Sequence, residues 1–217
     1  MMKTTENTLQ KIQEILEALK GADMVFLTAG LGAGTGTGAL PVIAKIAHDM
    51  NILSVGVVTV PFTFEGARKQ KLAEASIKEL MPYMDALITV HNDNLLKIKT
   101  STKLTLLNAF RMADMVLRQG IRCVTELILT VGVINVDFAD VQTVMSHRGM
   151  ALMGIGESTG EDAALEAIKS AIESPLLDNM SINGALGVLV HFHIPPTCPI
   201  NEISNAMSLI LDCADED

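Results

Sequence analysis

The 217 residues read as an α/β protein built on a parallel sheet with helices on both faces. Two observations predict this. Short apolar runs with few charges alternate along the chain with segments of helical spacing, the pattern of buried parallel strands and their crossover helices. The composition, 49% apolar against 19% charged, excludes a disordered chain. With only 3% aromatic residues, the core must be built from Val, Ile, Leu, Met and Ala, and the composition argues against an aromatic platform that stacks on bases.

The elements follow in order. Leu9, Ile12, Ile15, Leu16 and Leu19 put one apolar face on a helix over Thr8–Leu19, closed by Gly21. Met24–Thr28 is a short buried strand, Ala29–Gly38 a glycine-rich turn, and Leu40–Met50 a helix. Ile52–Val60 is a second strand, Lys69–Met81 a helix with Pro82 at its end, and Ala86–Val90 a third strand. Leu106, Leu107, Phe110, Ala113 and Leu117 predict a long helix over Lys103–Gln119, unbroken before Gly120. A turn-rich loop covers Val131–Asp140. Ser158–Glu161 has the spacing of a capping box for a helix through Glu173. Gly187–His193 reads as a strand and Ile200–Cys213 as a final helix.

A net charge of −9, from 16 basic and 25 acidic residues, argues against nucleic-acid binding. Apolar runs such as Ile52–Phe62 and Leu186–Val190 fall short of the ~18 residues of a membrane-spanning helix. The first residues hold no apolar signal core, so a soluble, cytoplasmic protein without membrane insertion is expected. Cys123, Cys198 and Cys213 fit neither a disulfide framework nor a zinc pattern and read as reduced thiols. His191 and His193 alternate on the last predicted strand. A metal site there would need further convergent ligands, so they read as solvent-side residues and no metal site is assigned. The thirteen methionines read as core filler.

The densest signal is Gly30-Leu31-Gly32-Ala33-Gly34-Thr35-Gly36-Thr37-Gly38, between a predicted strand and a predicted helix. Such glycines let the backbone approach a ligand closely. The helix behind them offers free N–H groups and a positive dipole end. Thr35 and Thr37 add hydroxyls, and the whole makes a phosphate cradle. No Lys follows in the P-loop position, and the alternating glycines fit no register of G-x-G-x-x-G. The bland alternative is a tight strand-to-helix turn.

At this motif the sequence resembles the tubulin/FtsZ family of GTPases, whose signature is GGGTGTG. Ala33 stands where that signature has its middle glycine of three. Pro61-Phe62-Thr63-Phe64-Glu65-Gly66 resembles the family's ribose loop, and Asn92-Asp93-Asn94-Leu95-Leu96 the loop before its central helix. Asn135-Val136-Asp137-Phe138-Ala139-Asp140-Val141 resembles its catalytic loop, and Ser174-Pro175-Leu176-Leu177 is also similar to the bacterial FtsZ branch. The resemblance implies part of a Rossmann-like GTPase subdomain over 1–100, a central helix over 101–123 and part of a second α/β subdomain over 124–217. It implies, too, that the family's first strand and glycine-rich loop, its closing strands and its partner-recruiting tail lie outside this segment.

By the same resemblance Gly32, Gly34, Thr35, Gly36, Thr37 and Gly38 hold phosphates and Glu65 accepts the ribose hydroxyls. The family's phosphate-contacting Arg falls at Lys69, with Arg68 beside it. Either cation could serve, although Lys lacks the bidentate fork, and a solvated helix start is the plain alternative for Arg68. Asn92, Phe110 and Asp114 match guanine-contacting positions, with one extra residue near Lys97–Thr102 before the helix. Phe110 and Asp114, four apart, share a helix face. Asn135, Asp137 and Asp140 match the loop that completes a neighbouring subunit's site. The alternative for the two aspartates is a pair of helix caps. The implied function is GTP binding, with Mg2+ accompanying GTP/GDP, head-to-tail self-association into division filaments, and hydrolysis at subunit contacts. A rival expectation is a non-enzymatic fragment that caps filaments of an intact partner. An unrelated α/β nucleotide enzyme is a third.

Overall fold

The computed structural model describes residues 2–98, 105–147, 149–177, 182 and 185–214. The extra residue expected near Lys97–Thr102 and the predicted helix start at Lys103 fall wholly or partly outside these. The first half alternates as the apolar pattern requires: α1 (Met2–Leu19), β1 (Met24–Gly30), α2 (Gly34–Asp49), β2 (Leu53–Val60), α3 (Ala67–Leu80), β3 (Ala86–His91) and the one-turn α4 (Asn92–Leu95). Then come α5 (Leu106–Leu129), α6 (Phe138–Met145), β4 (Gly149–Ala151), α7 (Ala163–Ile172) and α8 (Ile200–Cys213).

The four strands form one sheet in the order β1-β2-β3-β4, parallel throughout. Every residue of β2 is buried, so the strand carries no charge. Its side chains alternate between two cores. Val58 and Val60 join Leu27, Leu40, Ala44 and Leu80 beneath α2 and α3. Val57 joins Ile88, Val90, Ala113 and Val116 beneath α5. Burial on both faces explains the uninterrupted Val-rich run. A third, smaller core holds Ala164 and Ile168 of α7 against Ala206 and Ile210 of α8.

Pro41 lies inside α2, where it cannot donate to the Thr37 carbonyl. The buried Ser76 hydroxyl of α3 donates to that carbonyl at 3.3 Å instead. The helix thus tolerates the proline because its neighbour supplies the missing donor.

Three expectations need correction. Gly120 does not end the central helix, which runs on to Leu129. A Cβ at 120 would lie 3.2 Å from Val57 Cγ1 and from Met153 Sδ, so the glycine lets α5 lie against the sheet. Ser158–Glu161 is no capping box. Gly160 at φ +103° and Asp162 at φ +56° turn the chain, and α7 begins only at Ala163 without a side-chain cap. Residues 187–193 carry no strand assignment. Their alternation survives, because Val188, Val190 and Phe192 pack on the third core while His191 faces Glu126 of α5 at 3.8 Å.

Candidate functional site

A cleft of about 240 Å³ opens at the carboxyl ends of β1, β2 and β3, where parallel α/β sheets collect ligands. Its first wall is the glycine-rich turn, from which Gly30, Leu31 and Ala33 line the space. Gly32 sits at φ +89°, and a Cβ there would lie 2.7 Å from the Lys69 carbonyl oxygen. Its N–H donates to Thr37 Oγ1 at 2.9 Å. Thr37 therefore spends its hydroxyl oxygen pinning the turn, a role the sequence did not reveal. Ala33, at the N-cap of α2, supplies no side-chain acceptor. The first-turn N–H groups of the helix are left to an anion.

The glycines divide into two kinds. A Cβ on Gly36 would lie 2.7 Å from the Gly30 carbonyl oxygen, so packing alone demands that glycine. Among the described residues, Cβ atoms on Gly34 and Gly38 would meet nothing within 4 Å, so packing there demands neither.

The second wall runs from the end of β2 through the loop after it to the first turn of α3, contributing Thr59, Pro61, Glu65 and Lys69. Both Glu65 oxygens are engaged: the Phe62 N–H donates to Oε1 at 3.0 Å and Lys69 Nζ to Oε2 at 2.9 Å. Of the two candidate cations, Lys69 lines the cleft, whereas Arg68 is exposed and does not. Thr59, which lines the cleft between β2 and its loop, carried no sequence signal beyond its place in a buried run.

The third wall is α4 with the start of α5. Asn92 is only 4% exposed, lines the cleft, and its Oδ1 has no hydrogen-bond partner among the described residues. A buried amide oxygen without a partner costs stability, which is accounted for if a ligand donates to it. Phe110 and Asp114 project from adjacent turns of α5. Phe110 is 39% exposed and stands edge-on to Phe62, with ring centroids 5.4 Å apart. It is thus a cleft residue and not a core one. The arrangement presents a ring face, a carboxylate that can accept two N–H groups, a carboxylate for hydroxyls, an ammonium and a helix N-terminus.

Asn135, Asp137 and Asp140 do not line this cleft. They follow the far end of α5, and Asp114 to Thr130 alone spans about 24 Å at 1.5 Å per residue. Asp137 caps α6: Asp140 N–H donates to Asp137 Oδ1 at 2.9 Å, and Asp137 N–H to Asp140 Oδ2 at 3.4 Å. The two aspartates thus form a reciprocal capping box at the start of α6. Each still keeps a second carboxylate oxygen. Asn135 closes its own turn, accepting from Gly132 N–H at 2.7 Å and donating to the Gly132 carbonyl at 3.1 Å. The preceding loop exposes Val131, Val133 and Ile134, with Val133 fully in solvent.

Beside the last turns of α5, Arg122 Nε donates to Glu126 Oε1 at 2.7 Å. That bond holds the Glu126 carboxyl below the usual carboxylate range. Burial pushes the Cys123 thiol up, so it stays protonated at neutral pH. No helix among the described residues is long and apolar enough to cross a membrane.

Residues 3–100 match the GTPase domain of the tubulin/FtsZ family, and residues 149–217 match the FtsZ family C-terminal domain. The cell division protein FtsZ of Caulobacter vibrioides is 49% identical over 206 residues, which is 95% of this chain and 40% of the relative. The chain therefore spans less than half the length of that relative. A mutant FtsZ from M. jannaschii superposes with a TM-score of 0.84 at 36% identity, covering 98% of this chain and 63% of the other. An empty FtsZ dimer from M. jannaschii gives 0.82 at 37% identity, covering 94% and 58%. A parallel sheet with this cleft at its carboxyl edge, both family matches in order and these relatives lead to one conclusion: the chain belongs to the tubulin/FtsZ family.

Proposed function

We propose that the chain binds a guanine nucleotide in this cleft and serves a cell-division GTPase. That GTPase assembles head-to-tail into filaments in the cytoplasm at the division site and hydrolyses GTP to GDP and phosphate where subunits meet. The observation that carries the reading is the cleft, which gathers Glu65 and Lys69 from the crossover after β2 and Asn92, Phe110 and Asp114 from the crossover after β3, beside the N-terminus of α2, which has no side-chain cap among the described residues. Asp114 suits the adjacent N1–H and exocyclic amine of guanine, which adenine does not present together. Phe110 offers its face to the base, Asn92 its unpartnered oxygen, and Glu65 an acceptor for ribose hydroxyls. Gly34, Thr35, Gly36 and Gly38 hold phosphates, the first three through the free backbone N–H groups of the helix start, while Gly32 and Thr37 shape the turn. Among the described residues, no group of three or more His, Cys, Asp or Glu could hold a metal. A Mg2+ ion would therefore take most of its ligands from phosphate oxygens and water, and would supply charge neutralisation there.

Asn135, Asp137 and Asp140 lie beyond the far end of α5 and do not line the cleft of their own chain, so they serve a neighbouring copy. Asp137 Oδ2 and Asp140 Oδ1 remain to orient water or the cation. The exposed Val131, Val133 and Ile134 suit a contact that buries them. The same loop favours a second reading, a fragment that occupies the end of an intact filament without turnover.

The test places these residues in the frame of the full-length Caulobacter relative. Asp140→Ala and Gly34→Arg variants, each nearly inactive alone, should recover part of the GTPase rate when mixed. A mixture that stays inactive while both variants fold and associate would sink the shared-site reading.

A further inference from the structure

One carboxylate outside the cleft ties two of its walls together. Thr63, in the loop that carries Glu65, donates its N–H to Asp93 Oδ1 at 3.0 Å and Oδ2 at 3.2 Å. Its hydroxyl donates to Oδ2 as well, and Gln70 Nε2 of α3 donates to the same hydroxyl oxygen at 3.1 Å. Asp93 follows Asn92 in α4 and does not itself line the cleft. Next to Thr63, the Phe62 N–H holds Glu65 Oε1. The chain of contacts thus runs from Asn92 through Asp93, Thr63 and Phe62 to Glu65, joining the crossovers after β3 and β2.

We infer that Asp93 is a positioning residue. By clamping Thr63 it fixes where the Glu65 carboxylate stands relative to Asn92, and so sets how strictly the site demands a 2′-hydroxyl on its ligand. A loop held by one neighbouring carboxylate keeps an acceptor aimed at a fixed point. Released, the acceptor follows whatever ligand arrives and no longer discriminates. The inference rests on the guanine-nucleotide reading of the cleft.

The test uses the 217-residue chain and its Asp93→Ala, Thr63→Val and Thr63→Ser variants. Two readouts are taken by NMR: amide hydrogen exchange over residues 62–66 without nucleotide, and titrations with GTP, 2′-deoxy-GTP and ATP. The unsubstituted chain should prefer GTP to 2′-deoxy-GTP by roughly tenfold, the size of one hydrogen bond to a charged acceptor. Asp93→Ala and Thr63→Val should bring that ratio within about twofold, speed exchange over 62–66, and leave the preference for GTP over ATP unchanged, since Asp114 stands on another element. Thr63→Ser keeps both donors and should keep the ratio. A ribose preference that survives Asp93→Ala, or exchange over 62–66 that does not change, overturns the positioning role. Equal binding of GTP and ATP by the unsubstituted chain instead overturns the nucleotide reading, and this inference with it.

Discussion

Substituting the glycines of the turn one at a time separates those the fold requires from those a ligand requires. Gly36 and Gly38 both lie in α2, so alanine at either gains helix propensity, about 1 kcal/mol. At Gly38 no described residue opposes that gain, because the new Cβ meets none of them within 4 Å. The melting temperature should rise by about 2–4 °C for a domain of this size. At Gly36 the Cβ would sit 2.7 Å from the Gly30 carbonyl oxygen and 3.0 Å from Ala29 Cβ. Neither neighbour can rotate away, so α2 must lift from β1 at a cost of about 2–3 kcal/mol. The net loss is about 1–2 kcal/mol, or about 2–8 °C. Urea unfolding followed by circular dichroism gives the free energies, and thermal melts give the temperature shifts. Gly34→Ala should leave stability within about 0.5 kcal/mol and yet weaken nucleotide binding, because its Cβ faces open space at the helix N-terminus. If Gly36→Ala equals or exceeds the unsubstituted chain, or Gly38→Ala falls as far as Gly36→Ala, the division of the glycines is wrong.

Three further outcomes follow from single contacts. Ser76→Ala should cost about 1 kcal/mol by orphaning the Thr37 carbonyl, and should cost less in a Pro41→Ala background, where the helix supplies its own donor; equal costs in both backgrounds refute the coupling. Asp137→Ala should lower stability by about 1 kcal/mol through the lost cap, whereas Asp137→Asn should nearly preserve it; equal losses would mean that the charge and not the cap matters. Glu126 titrates below the ordinary carboxylate range because Arg122 hydrogen-bonds it, so its contribution to stability is present at neutral pH and is lost as pH falls through the depressed value. Arg122→Gln should raise that pKa in a side-chain carbon NMR titration, and an unmoved value refutes the cause.

The parts of the fold that were legible in the sequence share one property: a local pattern that the tertiary structure leaves unopposed. β2 and β3 are apolar runs because both their faces are covered, β1 is apolar although only its Leu27 is buried, and the glycine-rich turn is dense in a residue type with few other uses. β4 was not legible. Three residues, Gly149–Ala151, carry no periodicity, and only pairing with β3 makes them a strand. The segment 187–193 shows the converse, an alternation that packs on α7 and α8 without a strand ladder. Gly120 misled because close approach to Val57 and Met153, which no local pattern encodes, outweighs its low helix propensity. In the site, Glu65 and Asn92 were reached through ordered motifs and Phe110 and Asp114 through the family resemblance, whereas Thr59 lines the cleft without any signal beyond its buried run. Asp93 was not singled out, because its role is fixed by a partner thirty positions away.

The central claim is that the cleft reads guanine. The most direct measurement is an NMR titration of the 217-residue chain with GTP and with ATP, following the Asn92 side-chain amide and the resonances of Phe110 and Asp114. The account predicts that GTP shifts these signals at a concentration at least about tenfold below that of ATP, since a site built to pair buried polar groups rejects a ligand that leaves them unpaired. It predicts also that Asp114→Ala removes the difference. Equal responses to the two nucleotides, or shifts that bypass Asn92, Phe110 and Asp114, would contradict it.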